Sequence, residues 1–239
     1  MLTLDRQNAY RDRLRLLWPG WQPATEVYEA TLRRYVVPGA RLLDAGCGRG
    51  GVVEQIAGEE IRMVGIDPDR RSLSEHRLPR RRMARAQARL EAIPFAAGSL
   101  DLVIASWVLE HLSEPVAAWR EMARVLRPGG HLVVLTPNVG HPVTWLNRLL
   151  ARSKGVQAAL VPQLYGRSEE DAFPVRYRAN SVALIQRLAA GTGLAPVSIR
   201  TIADPTYLAF NDTLFRLSCL WEQIVPAAGI HLVADLVRR

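Results

Sequence analysis

Arg41-Leu42-Leu43-Asp44-Ala45-Gly46-Cys47-Gly48-Arg49-Gly50-Gly51 is a short apolar run that ends beside a carboxylate and breaks into a glycine-rich turn. A helix-like stretch follows to Ala57. Strand, glycine turn and helix in that order open a crossover unit, which returns the chain to a neighbouring parallel strand. Outward from the turn the pattern repeats. Residues 61–66 form a second apolar run ending in Asp67-Pro68-Asp69, residues 83–87 a weaker third, and residues 100–105 a fourth. A helix begins near Ser113, with Pro115 in its first turn, where the missing N–H costs little. Its apolar positions Val116, Trp119, Met122, Ala123 and Leu126 recur at helical spacing. Arg127-Pro128-Gly129-Gly130 stops it, and residues 131–135 make a fifth strand. This alternation predicts an α/β fold with a mostly parallel sheet, covered on both faces.

After Thr136-Pro137-Asn138 the pattern loosens. Residues 138–178 mix prolines, aromatics and arginines without one period, a span too long for a plain connection and therefore read as an inserted cap after strand 5. Residues 178–190 return to helix, and 194–202 read as a further strand. Beyond Thr206, Leu214, Leu217, Trp221 and Ile224 share one helical face, read as packing on the core or on another subunit. A homodimer therefore stays open, with membrane-surface contact as the alternative.

Composition bounds the function. Of 239 residues, 49% are hydrophobic and 23% charged, ordinary for a soluble protein, and no apolar run is long enough to span a bilayer. The alternating charge and leucine of residues 1–15 lack the apolar core of a signal peptide, and Cys47 and Cys219 fit neither a metal site nor a disulfide scaffold. A cytoplasmic location is expected. The net charge is +8, almost all of it from arginine, since Lys154 is the one lysine. The cluster Arg80, Arg81, Arg82 and Arg85 reads first as a solvated surface and second as a contact for an acidic partner. It has no interleaved aromatics on which bases could stack, which argues against nucleic acid.

Gly46-x-Gly48-x-x-Gly51 lets the backbone turn tightly and approach an anion, while the next helix aims N–H groups at it. That anion is a pyrophosphate in a nicotinamide dinucleotide, or the methionine carboxylate in S-adenosylmethionine. Asp44 separates the two. A carboxylate two residues before the first glycine repels a pyrophosphate but suits an amino-acid or sulfonium cation. Asp67 offers two oxygens to the two hydroxyls of a ribose in either class. The plainer readings are a loop-capping Asp44 and a turn-forming Asp67-Pro68.

Five segments in order resemble the motifs of class I S-adenosylmethionine-dependent methyltransferases of the small-molecule types 11 and 12. They are residues 42–50, residues 64–69, Ile93-Pro94-Phe95 running into Leu100-Asp101-Leu102-Val103, Ser106-Trp107-Val108-Leu109-Glu110-His111-Leu112, and residues 126–134. The resemblance implies a Rossmann-like doubly wound sheet and S-adenosyl-L-methionine as cofactor. It implies that Asp44, Gly46, Cys47 and Gly48 hold the methionyl part, Asp67 the ribose and Pro68 the adenine, with Ser106 and Trp107 beside the sulfonium. Arg89 departs from the pattern, standing where relatives carry an acid for the adenine amino group; backbone around Leu90 would take that role. The expected organisation is one domain: an N-terminal extension (1–23), a cofactor-binding core (24–137), a substrate cap (138–178) and a C-terminal helix and strand region (179–239).

The sulfonium methyl is already electrophilic, so alignment is the main task and a base is an addition for hydroxyl or amine acceptors. His111 and His141 are the candidate bases, set against plain pocket-wall and turn roles. Trp145, Tyr165, Phe173, Arg176 and Tyr177 are candidates for the acceptor pocket. No zinc-type cluster or triphosphate-binding loop is visible, so no metal is expected. No Asn/Asp-Pro-Pro-Tyr/Phe segment follows the fourth strand, as it does in many enzymes that methylate adenine or glutamine nitrogen. The expected activity is methyl transfer to oxygen or nitrogen of a small or lipid-linked acceptor such as a sugar, quinone or secondary metabolite. An RNA methyltransferase, a non-catalytic binding module and an NAD-dependent oxidoreductase are the alternatives.

Overall fold

The computed structural model describes residues 2–56, 61–150 and 174–239. Seven strands form one sheet in the order β3-β2-β1-β4-β5-β7-β6. They are β1 (Arg41–Ala45), β2 (Arg62–Asp67), β3 (Ala84–Gln87), β4 (Leu100–Ser106), β5 (Leu126–Pro137), β6 (Leu194–Ile202) and β7 (His231–Arg238). The first five are mutually parallel, and β7 inserts antiparallel between β5 and β6. The helices are α1 (Leu4–Leu17), α2 (Ala24–Leu32), α3 (Val53–Ile56), α4 (Arg70–Ser74), α5 (Pro115–Val125), α6 (Pro142–Leu150), α7 (Val182–Ala190) and α8 (Asp212–Ile224).

The apolar runs are continuous because both faces of the sheet are buried. Alternate residues divide between two cores. Leu43, Ala45, Val103, Ala105, Leu132 and Val134 pack with Trp119 and Met122 of α5 and Ile185 of α7. Leu42, Leu102, Ile104, Val133 and Leu135 pack with Val27, Tyr28 and Leu32 of α2, and with Leu73 of α4. Each such leucine or valine, once fully buried, contributes about 1.5–3 kcal/mol. A third, smaller cluster joins Leu14 of α1 to Phe215 of α8.

Four expectations need correction. The Arg127–Gly130 breaker ends α5, yet β5 already starts at Leu126: Leu100 pairs with Leu126 and Leu102 with His131, so the intervening residues bulge out of register. Gly129 takes a left-handed φ of 76° there. The helix expected from residue 178 begins at Val182, because Ser181 caps it and Tyr177 is left-handed. Strand β7 was not foreseen. The tail helix buries Phe215, Ser218 and Glu222, while Leu214, Leu217, Trp221 and Ile224 stand exposed rather than packed on the core. Most of the expected cap, residues 151–173 with Tyr165 and Phe173, lies outside the described residues.

Candidate functional site

The carboxyl ends of β1, β2 and β4 meet around the glycine turn, the crevice where open α/β sheets bind ligands. Gly46 and Cys47 both donate backbone N–H groups to the Ile66 carbonyl (2.8 and 3.0 Å), which fixes the turn on β2. Gly46 is required twice over, by its φ of 79° and by Val108, whose Cγ2 would lie 2.5 Å from an added Cβ. At Gly48, with φ 50°, an added Cβ would meet no protein atom within 4 Å, so the turn faces open space. Cys47 contributes backbone alone: its side chain is buried beneath Gly65 and Met83, where burial raises the thiol pKa.

Two carboxylates flank the turn. Asp67 accepts from Gly48 N–H at 3.0 Å and Asp69 N–H at 2.8 Å, one bond to each oxygen. Burial raises its pKa, against the pull of those two N–H groups. Asp44 is 4% exposed. Among the described residues no hydrogen bond or ion pair engages it, and burial followed by the charge of Asp67 raises its pKa to about 7. A buried carboxyl lacking a counter-charge suits a cationic ligand group. Beside it sits Tyr28 of α2, fully buried, its hydroxyl pKa raised by burial and by the charge of Asp44 against the pull of Ser106 and the Ala105 backbone at the end of β4. Sequence reading missed Tyr28, since nothing local sets it apart from the apolar positions of α2.

Ser106 ends β4, and Trp107 follows with a left-handed φ of 56°, its N–H bonded to the Leu135 carbonyl at 2.9 Å. A non-glycine residue in that conformation is strained, and such strain concentrates at functional sites. The indole packs edge-on against His231 at 5.0 Å, and His231 meets Tyr207 at 5.2 Å. His231 and Tyr207 were also missed, because β7 itself was not foreseen.

On the adenine side, Pro68 follows β2, and its carbonyl accepts from the Gln87 amide at 2.9 Å. Leu90 is buried in the core, and Arg89 turns outward to Glu91 at 3.3 Å. The Ile93-Pro94-Phe95 loop is clamped from α5: Arg124 donates to the carbonyls of Ile93 (2.9 Å) and Phe95 (2.8 Å), and Glu121 accepts from Ile93 N–H. Asp101 lies at the far end of the sheet, held by Arg41 and Arg127. Glu121, Arg124, Asp101 and Arg127 thus build the frame.

The two histidines part company. His111 is half-buried on the short 3₁₀ turn Leu109–His111, and its Nδ1 lies 3.0 Å from the Pro174 carbonyl. A bond to that carbonyl requires the proton on Nδ1, which leaves Nε2 as the lone-pair nitrogen of the neutral ring. Its neighbour Glu110 is buried, accepts from Thr136 Oγ1 at 3.1 Å, and through its carbonyl receives the N–H groups of Arg176 and Tyr177. Residues 174–178 thus run over the turn that carries His111. His141 is 1% exposed: its Nδ1 accepts from Val143 N–H, and its Nε2 faces Glu222 of α8 at 3.6 Å. It faces α8. Arg176 and Tyr177 sit on Glu110, and Asn147 donates to the Tyr177 hydroxyl at 2.8 Å, whereas Trp145 stands exposed on α6.

Residues 43–134 match the model of the methyltransferase domain family. The chain is 36% identical over 100 residues to a probable S-adenosylmethionine-dependent methyltransferase of Mycolicibacterium smegmatis, covering 42% of this chain and 39% of that one. Over that segment the chain is similar to S-adenosylmethionine-dependent methyltransferases. It is also 37% identical over 97 residues to a demethylmenaquinone methyltransferase of Beutenbergia cavernae, covering 41% of this chain and 40% of that one. The chain spans less than half the length of these curated relatives. In fold, the chain resembles a geranyl diphosphate C-methyltransferase of Streptomyces coelicolor, with a TM-score of 0.63 at 15% identity over 90% of this chain and 80% of that one.

Proposed function

We propose that this chain transfers a methyl group from S-adenosylmethionine to an oxygen or nitrogen of a small or lipid-linked acceptor. The observation that carries the reading is Asp44, a buried carboxyl without a counter-charge at the mouth of a glycine turn that faces open space. Asp44 takes the cationic end of the methionyl group, the Gly46–Gly48 backbone its carboxylate, and Asp67 the ribose hydroxyls. Pro68 and the backbone at Leu90 flank the adenine, since Arg89 is turned away to Glu91. Bound there, S-adenosylmethionine supplies an electrophilic methyl group. The strained Trp107 and Ser106 wall the methyl end and exclude water. Holding donor and acceptor in line is worth roughly 7–11 kcal/mol of barrier. His111 is the base this arrangement favours for a hydroxyl or amine acceptor, with its Nδ1 proton held by Pro174 and Nε2 as the accepting atom. His141, turned to Glu222, is not used.

The organisation that accompanies this reading is a single domain from α2 through β7, with residues 138–178 as the cap and α1 as an N-terminal brace on α8. Titration calorimetry with S-adenosylhomocysteine tests the cofactor assignment. Micromolar binding to the wild type, lost in both Asp44→Ala and Asp67→Ala, is expected. Binding of NAD in its place sinks the reading.

A further inference from the structure

Among the described residues, fifteen large apolar side chains stand exposed, and eight of them belong to α6 and α8. α8 buries Phe215, Ser218 and Glu222 on one side. At 100° per residue, Leu217, Leu220 and Ile224 project from the opposite side, 53–69% exposed. Trp221 and the start of α6 at His141 and Pro142 enclose a groove of about 260 Å³, and Trp145, 58% exposed, continues the apolar surface along α6. A helix that is apolar on its core face and again on its outward face is built to meet a second apolar phase.

Charge selects that phase. Arg148 on α6 and Arg216 on α8 are exposed at this face. The acids of the two helices are Asp212, ion-paired with Arg13 at 3.3 Å, and Glu222, buried under α8. The face is therefore apolar with a cationic margin, on a chain of net charge +8. An isologous pairing of two copies would set these arginines against each other across one interface, whereas anionic lipid neutralises them. Tryptophan favours the bilayer interface, and arginine stems lie along apolar surface while their heads reach phosphate. Position agrees. β5 ends at the glycine-turn end of the sheet and leads into α6, and Tyr207, in the short turn that packs on α8, continues through His231 to Trp107.

We propose that α6 and α8 together seat the protein on an anionic bilayer surface, with Trp145 and Trp221 at headgroup level and Leu217, Leu220 and Ile224 among the upper acyl chains. On the methyl-transfer reading proposed above, on which this last step rests, the site then opens at the membrane, where a lipid-linked acceptor is held.

Sedimentation of the full chain with vesicles tests this without turnover, so docking and methyl transfer fail or stand separately. Binding to phosphatidylcholine vesicles containing phosphatidylglycerol is expected at low salt, weakening as salt rises and falling away on phosphatidylcholine alone. Leu217→Glu with Ile224→Glu should weaken it roughly tenfold or more, while Val116→Glu, at an exposed site on α5, leaves it unchanged. Both variants should keep wild-type Tm and S-adenosylhomocysteine binding. Absence of vesicle binding at low salt overturns the proposal, as does equal binding to neutral vesicles or equal loss in Val116→Glu. So does a dimer at sedimentation equilibrium that the double variant dissolves while vesicle binding is absent.

Discussion

In the proposed cofactor site, Asp44 would tie protonation to ligand binding. Its folded pKa of about 7 lies above its ordinary value of 3.8, so between those values the folded state holds more protons than the unfolded state. The carboxyl therefore opposes folding increasingly as pH rises from about 4 to about 7, and by a constant amount above that. Asp44→Asn should raise the Tm of the cofactor-free protein at pH 8, by about 2–4 °C for each kcal/mol relieved, and by much less at pH 5, read by thermal melts. A cation placed beside Asp44 favours its charged form. S-adenosylmethionine binding at pH 6 should then release close to one proton, seen as a dependence of the calorimetric heat on buffer ionisation enthalpy, and Asp44→Asn should abolish it. Equal heats in all buffers would remove Asp44 from the cation site.

At the scale of elements, the start of α6 and the buried face of α8 meet through His141 and Glu222. Burial raises the Glu222 pKa, while His141 lowers it. His141→Ala strands that acid and opens space under α8, at a cost of about 1–3 kcal/mol. Thermal melts should show the loss, and S-adenosylhomocysteine affinity should stay at the wild-type value; a lost affinity with unchanged Tm would return His141 to the ligand site. Sequence could name His141 but not its partner, since α6 and α8 meet only after the chain has crossed the sheet again. The motif residues fared differently. Asp44, Gly46, Gly48 and Asp67 act within one strand–turn–strand unit, so their spacing along the chain fixes their spacing in space. Asp101 and Arg127 shared the motifs yet serve the opposite end of the sheet.

Across the whole molecule, the antiparallel β7 is locked by a buried carboxylate. Asp235 is 0% exposed, accepts from the Tyr35 hydroxyl at 2.6 Å, and lies 2.8 Å from His131 Nδ1, with the Tyr35 and His131 rings stacked at 3.8 Å. Three separate parts of the chain converge there: the segment after α2, the middle of β5 and the middle of β7. Tyr35→Phe should cost about 1–3 kcal/mol in denaturant unfolding without moving cofactor affinity. No change in the midpoint would show that the hydroxyl bond adds nothing. The same carboxylate explains why β7 escaped notice. An acid in mid-run reads as solvent-facing until its partners are known.

The sequence by itself determined the parallel core and the glycine turn, because apolar periodicity, glycine placement and the carboxylate offsets are local and each βα step is short. Tertiary structure alone decided the strand β7, the separation of His111 from His141, the buried Tyr28 beside Asp44, and the outward apolar face of α8. Each depends on which distant surfaces meet. Burial, which raises the Asp44 pKa and leaves Leu217 and Ile224 exposed, is a property of that meeting and of no single stretch of chain.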